Sequence, residues 1–409
     1  MIRGMLLSRI PYGGCHVARL RFLGLLFLLA ASTATGESGS RMGLDPRLQY
    51  DDLATLNSRE PRAELSCQIT ADKPSLGFDL RFHSDYHAAV PINVVADAGG
   101  WLQVAMRVMP APETEHPTYL AHRFAIPAVP LGSKGGVSVS GSFDLGPGRY
   151  RVDWIMRDAR DRVCSAHWNL NVKAGSGKQD IPLTLGPNQI ADLERHASGN
   201  GPLVKRELAQ PLHVKILLNL SPAKPQDSIV RPEDAAVLFS ILRSITGQPG
   251  IVLSTVVAFN LRDQKVVYRR ENDDQIDFFA LEKAAQSRAA GTIDLSVLRD
   301  PQSETHFVTR LLTDELGAQT DTPDAIIIVG SKVSLDRKVP LDSLKAKGAA
   351  KCPVFYLNYN SNLYESWPDT IGSALKAYKG ATAYTIVSPR DVGLAVRELL
   401  ARIAKRPNS

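Results

Sequence analysis

The chain has little cysteine, few aromatic residues and none of the common catalytic signatures. Cysteine occurs four times in 409 residues and aromatics make up 7%, which excludes a disulfide-dense mini-scaffold. No His-Glu-x-x-His, Cys-x-x-Cys or Gly-x-Ser-x-Gly is present, so zinc-peptidase, thioredoxin-like and nucleophile-elbow chemistry find no support. "LGPGRY" lacks the helix that a phosphate loop opens into, and "VGSK" lacks its preceding glycines. The nine histidines are scattered: His16, His83, His87, His116, His122, His167, His196, His213 and His306. An isolated histidine is more often a surface or cap residue than a ligand. Internal repeats and low-complexity blocks are also missing.

Excess basic charge is scarce outside the N-terminus. Of the net +6, four charges are Arg3, Arg9, Arg19 and Arg21, and residues 1–36 hold no acid. The remainder gives no footing for nucleic acid. Long apolar runs are limited to "FLGLLFLLAA" (Phe22–Ala31), which is followed by the small residues "STATG". Ten apolar residues fall short of the about 20 that span a bilayer. The pattern reads as a signal peptide over 1–36, with an uncleaved anchor as the alternative. No cysteine follows the run, so a lipid anchor is not expected. The expected locale is periplasmic or extracellular, with no stable membrane span after cleavage.

Export makes the remaining cysteines pairable. Cys67 ("AELSCQIT") and Cys164 ("DRVCSAHWNL") lie in strand-like runs of one region, while Cys352 opens the apolar run "CPVFYLNY". A Cys67–Cys164 disulfide is expected, leaving Cys352 as a buried thiol without a neighbour placed to activate it.

What is present divides the chain. Residues 37–62 are polar and read as a loosely packed arm. Residues 63–173 carry short runs with β-branched or alternating character, separated by Pro, Gly, Asp and Ser. The clearest hairpin is "GRYRVDWIMRDARDRVCSAHWNLNVK", where Tyr150, Val152, Trp154 and Met156 alternate with Arg151, Asp153 and Ile155. Strands at this spacing suggest a β-sandwich. "LGPGRYRV" resembles the entry to a late strand of immunoglobulin-like domains, although an ordinary Gly-Pro turn explains it as well. Residues 174–210 are Gly/Ser-rich at both ends and enclose "NQIADLERHA", which reads as a short helix in a linker.

From 211 to 406 the order is β-α-β-β-α-α-β-(α)-β-α-β-α. "NLRDQK" makes the second and third strands a hairpin. Non-alternating runs such as "AIIIV" fit a doubly wound, mostly parallel six-stranded α/β sheet with one antiparallel edge. The acidic stretch "ENDDQIDF", with Glu271, Asp273, Asp274 and Asp277, reads as a solvated turn before a helix rather than a calcium site.

That order, with its early hairpin and closing helix, resembles the von Willebrand factor type A domain over residues 210–406, in the manner of the von Willebrand-related proteins of acidobacteria. The resemblance implies a divalent-ion rim at the carboxyl ends of the strands. Its Asp-x-Ser-x-Ser falls on Asn219-Leu220-Ser221-Pro222-Ala223, its Thr on Thr292 after Gly291, and its Thr-Asp-Gly on Gly330-Ser331-Lys332. Both carboxylates are missing and Lys332 adds a positive charge, so no metal and no cofactor are expected. "FYLNYNSNLYESWPD" ends at the same rim. Its Asn358, Asn360 and Trp367 suit protein or glycan contacts, and strand-end packing suits them equally. The expectation is a non-enzymatic binding or scaffold protein that meets an extracytoplasmic protein or glycan through Asn219, Ser221, Thr292, Ser331, Asn358, Asn360 and Trp367. A hydrolase with a site between domains, or a structural envelope component, are the alternatives.

Overall fold

Runs with period two and uninterrupted β-branched runs meet different environments in a computed structural model of the chain. It describes residues 50–58, 60–95, 100–112, 117–126, 128, 135–174, 181–192, 211–223, 227, 229–271, 276–286, 302–317, 323–335, 338–345, 351–360 and 368–404. The leader, Thr292 and Trp367 lie outside the described residues.

The first half is antiparallel. One sheet runs β1 (Gln68–Ala71), β3 (Phe82–Pro91), β6 (Gly136–Leu145) and β9 (Ile190–Asp192), with β2 (Ser75–Leu76) also on β3. The other runs β5 (Thr118–Ile126), β4 (Gly100–Pro110), β7 (Gly148–Asp158) and β8 (Val163–Val172). Both sheets contribute to one core, with Tyr86, Val90 and Phe143 from the first, and Val104, Met106, Val152 and Trp154 from the second. A Cys67–Cys164 disulfide ties the start of this half to β8. Cys352 is buried and takes no part in the disulfide.

The alternation on β7 does not separate wet from dry, because Asp153, Ile155 and Arg157 are buried as well. The cover is helix α1 (Tyr50–Ser58), which forms in the stretch expected to be a loose arm. Asp52 is fully buried and accepts from Gln103 Nε2 (2.9 Å) and Arg157 Nε (2.8 Å). Asn57 Oδ1 accepts from Arg107 (2.6 Å), whose guanidinium also binds Asp153. Only Leu56 joins α1 to an apolar cluster, with Ala105, Ile155 and Val163. One ion pair and two further polar bonds hold this helix down.

The expected helix Asn188–Ala197 is corrected at its start. Ile190–Asp192 is strand β9, paired with Leu145–Phe143 of edge strand β6. Asn188 has φ +59°, which breaks a helix, and the β6 edge offers unpaired backbone groups. Residues 193–197, the second half of the expected helix, lie outside the described residues, as do the flanking segments 175–180 and 198–210.

The second half is one mixed sheet of β10 (Leu212–Asn219), β11 (Ile251–Asn260), β12 (Lys265–Glu271), β13 (Ala325–Ser331), β14 (Val354–Tyr359) and β15 (Thr382–Ile386). The spatial order is β12-β11-β10-β13-β14-β15, and only the β11–β12 pairing is antiparallel. Helices α3 (Pro232–Thr246), α4 (Phe278–Gln286) and α8 (Pro389–Ala404) cover one face. Helices α5 (Ser303–Leu316), α6 (Leu341–Lys345) and α7 (Thr370–Leu375) cover the other. Two-sided cover explains why Ala325–Ser331 is buried throughout. Asp277 Oδ1 caps the first turn of α4 by accepting from Ala280 N (2.9 Å), an ordinary role for that acidic stretch.

The halves interlock at the turn between β2 and β3. Leu80 is fully buried in the core of the six-stranded half, among residues that include Ile241, Leu242 and Val396. Phe78 meets Tyr359 edge-on at 5.9 Å between centroids. Leu80 has φ +61°, a conformation that costs a non-glycine residue about 1–3 kcal/mol. Burying its side chain returns roughly 1.5–3 kcal/mol. Ile181 lies against Gly393 of α8, and Gln248 Nε2 donates to Pro182 O (3.0 Å).

Candidate functional site at the carboxyl rim of the six-stranded sheet

Parallel strands deliver their carboxyl-terminal side chains to one rim, where ligands of open α/β sheets collect. Asn219 ends the central strand β10, with Phe259 and Gly330 as its register neighbours. Its Oδ1 accepts from Ser221 N (3.0 Å) and Ser221 Oγ (2.5 Å), and its Nδ2 donates to Ser331 O (3.3 Å). Ser221 Oγ accepts from Leu261 N (2.7 Å). These bonds knot the ends of β10, β11 and β13. Gly330 permits the knot, since a Cβ there would stand 2.5 Å from Asn219 Cβ.

The knot is closed to solvent. Asn219 and Ser221 are 0% exposed and Ser331 is 2% exposed. The expectation that these three meet a partner directly is therefore corrected. Asn219 and Ser221 serve one another and the backbone, and Ser331 joins through its backbone carbonyl while its buried hydroxyl finds no hydrogen-bond partner among the described residues. The amide also matters chemically. One end of Asn219 accepts while the other donates, and a carboxylate has nothing to donate to Ser331 O.

One strand outward, Asn358 is level with Gly330. Its Nδ2 donates to Asp369 Oδ2 (2.8 Å), and the buried Tyr356 hydroxyl donates to Asp369 Oδ1 (3.3 Å). Burial pushes the Asp369 carboxyl up from its ordinary value, against the backbone amides of Gly372 and Ile371, the Tyr356 hydroxyl and the Lys332 charge. Asn360 follows β14 and its backbone N–H donates to Ile386 O (2.9 Å). Lys332, Asn358, Asn360 and Asp369 are half-buried and form the outer ring of the rim. Asp369 and Tyr356 were not singled out in the sequence. The available signal was an Asp directly before a helix, the usual N-cap position. Asp369 at this rim already accepts from Asn358 and Tyr356, and the nearby Asp234 is bound by Arg231 (2.8 Å), so the donor set does not fit a hard divalent ion.

A second polar cluster lies at the foot of the Leu80 turn. His83 Nδ1 is 2.7 Å from Asp144 Oδ1 and its Nε2 is 3.0 Å from Asp79 Oδ1. Arg81 reaches Asp144 Oδ2 at 3.2 Å. Burial alone would push the imidazole down, but the two carboxylates outweigh it and lift His83 to about 10. The three side chains come close enough to suggest a metal centre. Their arrangement argues otherwise, since the carboxylates approach opposite ring nitrogens and an ion on one nitrogen lies across the ring from the other Asp. The cluster is an imidazolium held between two aspartates. The reading of His83 as an isolated residue is corrected here, because Asp144 is its direct partner across the β3–β6 ladder.

Two open clefts lie elsewhere. One of about 370 Å³ lies between β12 and α5, beside Lys265, Arg269, Arg310 and Glu315. Another of about 300 Å³ lies between α1 and the β7–β8 pair.

No protein-family model matches the chain, and no curated protein sequence matches it. Among solved structures, it is similar to a superoxide reductase (neelaredoxin) from Ignicoccus hospitalis at 14% identity, covering 30% of this chain and 93% of that one, with a TM-score of 0.20. It is also similar to the PilB minor pilin from Streptococcus sanguinis at 8% identity, covering 74% and 89%, with a TM-score of 0.28. A β-glucuronidase 2 mutant from Bacteroides uniformis aligns at 10% identity over 75% and 37%, with a TM-score of 0.18. Likeness this slight carries no argument for fold or function. Those rest on this chain's own residues.

Proposed function

We propose that the protein is an exported, non-enzymatic binding or scaffold protein, built from an immunoglobulin-like β-sandwich and a von Willebrand type A-like module without a working metal site. The observation that carries this reading is the strand order β12-β11-β10-β13-β14-β15, with its antiparallel edge hairpin and Asn219-Leu220-Ser221 at the end of the central strand. In the first half, Tyr150 supports the immunoglobulin-like reading. It is buried and its hydroxyl donates to Gly146 O (2.8 Å), a corner that such sandwiches use. The disulfide favours an oxidising compartment, and no helix among the described residues is long and apolar enough to cross a membrane.

Partner recognition is assigned to the outer ring rather than to the buried knot. Lys332 and Asn360 offer donors and acceptors of the kind that protein or glycan surfaces meet, while Asn358 is taken up by Asp369 and its Oδ1 is buried. The test is capture from envelope extract by wild-type protein and by the Lys332→Ala/Asn360→Ala variant, each checked for an unchanged melt. A saturable partner that the variant loses supports the reading. Retention indifferent to the ring, or turnover of a hydrolase substrate by purified protein, overturns it.

A further inference from the structure

We propose that strand β15 is a self-association edge, on which a second copy of this chain adds antiparallel across a two-fold axis to make a continuous twelve-stranded sheet. The six-stranded sheet has two edges of contrasting character. Edge β12 carries Lys265, Arg269, Arg270 and Glu271, and a register shift at Ala258/Phe259 distorts its pairing. Charges and bulges on an edge are the usual devices against pairing. Edge β15 reads Thr382-Ala383-Tyr384-Thr385-Ile386, with no charge, no Pro and an unbroken register on β14.

Among the described residues no strand pairs with the outer side of β15. Ala383 and Thr385 are exposed. A cation does touch the strand, since Arg402 donates to Thr382 Oγ1 (2.9 Å), but Glu398 neutralises it at 2.5 Å. Full overlap of the strand with its own copy places the axis at Tyr384. Ala383 then faces the partner's Thr385, and Thr382 faces the partner's Ile386. All of these are small or β-branched side chains suited to cross-strand pairing.

A five-residue strand pair is smaller than the roughly 1,200 Å² of a stable interface. The same edge supplies more. Val387, directly after β15, is 37% exposed and Leu394 on α8 is 36% exposed, two of the few large apolar side chains left open to solvent. The axis would bring both copies of these residues to the seam. Isologous contact of this kind closes at two copies and does not grow into fibres.

The test is sedimentation of the mature chain over about 1–100 μM, a range that brackets micromolar affinity. A mass of two chains is expected, falling to one chain in Ala383→Lys/Thr385→Lys, which sets like charges opposite each other twice. The Ala383→Glu/Thr385→Lys variant sets opposite charges at the same places and is expected to recover the dimer. A Tyr384→Cys variant, otherwise native at the edge, should cross-link between copies on oxidation and serves as the readout if the lysine pair fails to fold. A monomer at every concentration, a dimer indifferent to the lysine pair, or no cross-link at position 384 overturns the proposal.

Discussion

Replacing Asn219 by Asp puts a carboxylate at a position where this chain has no use for one. The side chain is fully buried, its Oδ1 accepts twice from Ser221, and its Nδ2 donates to Ser331 O. An ionised carboxylate keeps the first two bonds but turns an acceptor toward the Ser331 carbonyl. An orphaned buried carbonyl costs about 1–3 kcal/mol, and the buried charge adds to it unless the group protonates. We therefore expect Asn219→Asp to lose at least about 2 kcal/mol at neutral pH. The sign with pH follows. A carboxyl in this knot has its folded pKa raised above the unfolded value of about 3.9. Stability is then retained below that unfolded value and lost as pH rises through the folded one. Denaturant melts of Asn219→Asp at pH 4 and pH 7.5, with Asn219→Ala as a pH-blind control, measure the effect. A variant as stable as wild type at pH 7.5, with no pH slope relative to it, would refute the closed-knot account.

Non-reducing peptide mapping should find Cys67 linked to Cys164, and reducing that bridge should cost roughly 3–5 kcal/mol for a loop of this length. Millimolar Mg2+, Ca2+ or Mn2+ should leave the wild-type melt unmoved, whereas a site of about 10 μM Kd would add roughly 2.7 kcal/mol at about 1 mM ion. An EDTA-reversible shift would overturn the rim assignment. His83 stands at about 10 in the fold, so its stabilisation is whole below its unfolded value of about 6.5 and fades as pH rises toward 10. His83→Gln should flatten stability across that window. Asp52→Ala should cost about 3 kcal/mol by removing the buried partner of Arg157 and leaving it only the exposed Asp161 at 3.5 Å, and hydrogen exchange in Tyr50–Ser58 should lose its protection.

The six-stranded half was legible because its signal is local. "AIIIV", "PVFYLN" and the amphipathic α3 and α8 each announce their own period, and the hairpin turn fixes one antiparallel neighbour. Helix α1 was not legible. It buries an aspartate and a single leucine, so its stripe is no more apolar than a loop, and its stability comes from arginines 50 and 105 residues away. Asn219 and Ser331 end neighbouring strands, as their apolar runs suggest. That Asn219 turns inward onto the Ser331 carbonyl depends on a 112-residue separation that no local pattern encodes. His83 and Asp144 escaped for the same reason, since register between β3 and β6 decides their meeting.

The Leu80 turn carries a consequence for how the protein is made. Its leucine is among the first core residues to be synthesised, yet the bed it occupies includes Val396, Leu399 and Ile403 at the far end of the chain. A chain that emerges from the N-terminus onward makes Phe78 and Leu80 more than 150 residues before Ile241 and Leu242 and still longer before Tyr359 and the α8 residues of the same core. The sheets and disulfide of the first half can form early, but this turn waits for the second half to give it a place to pack.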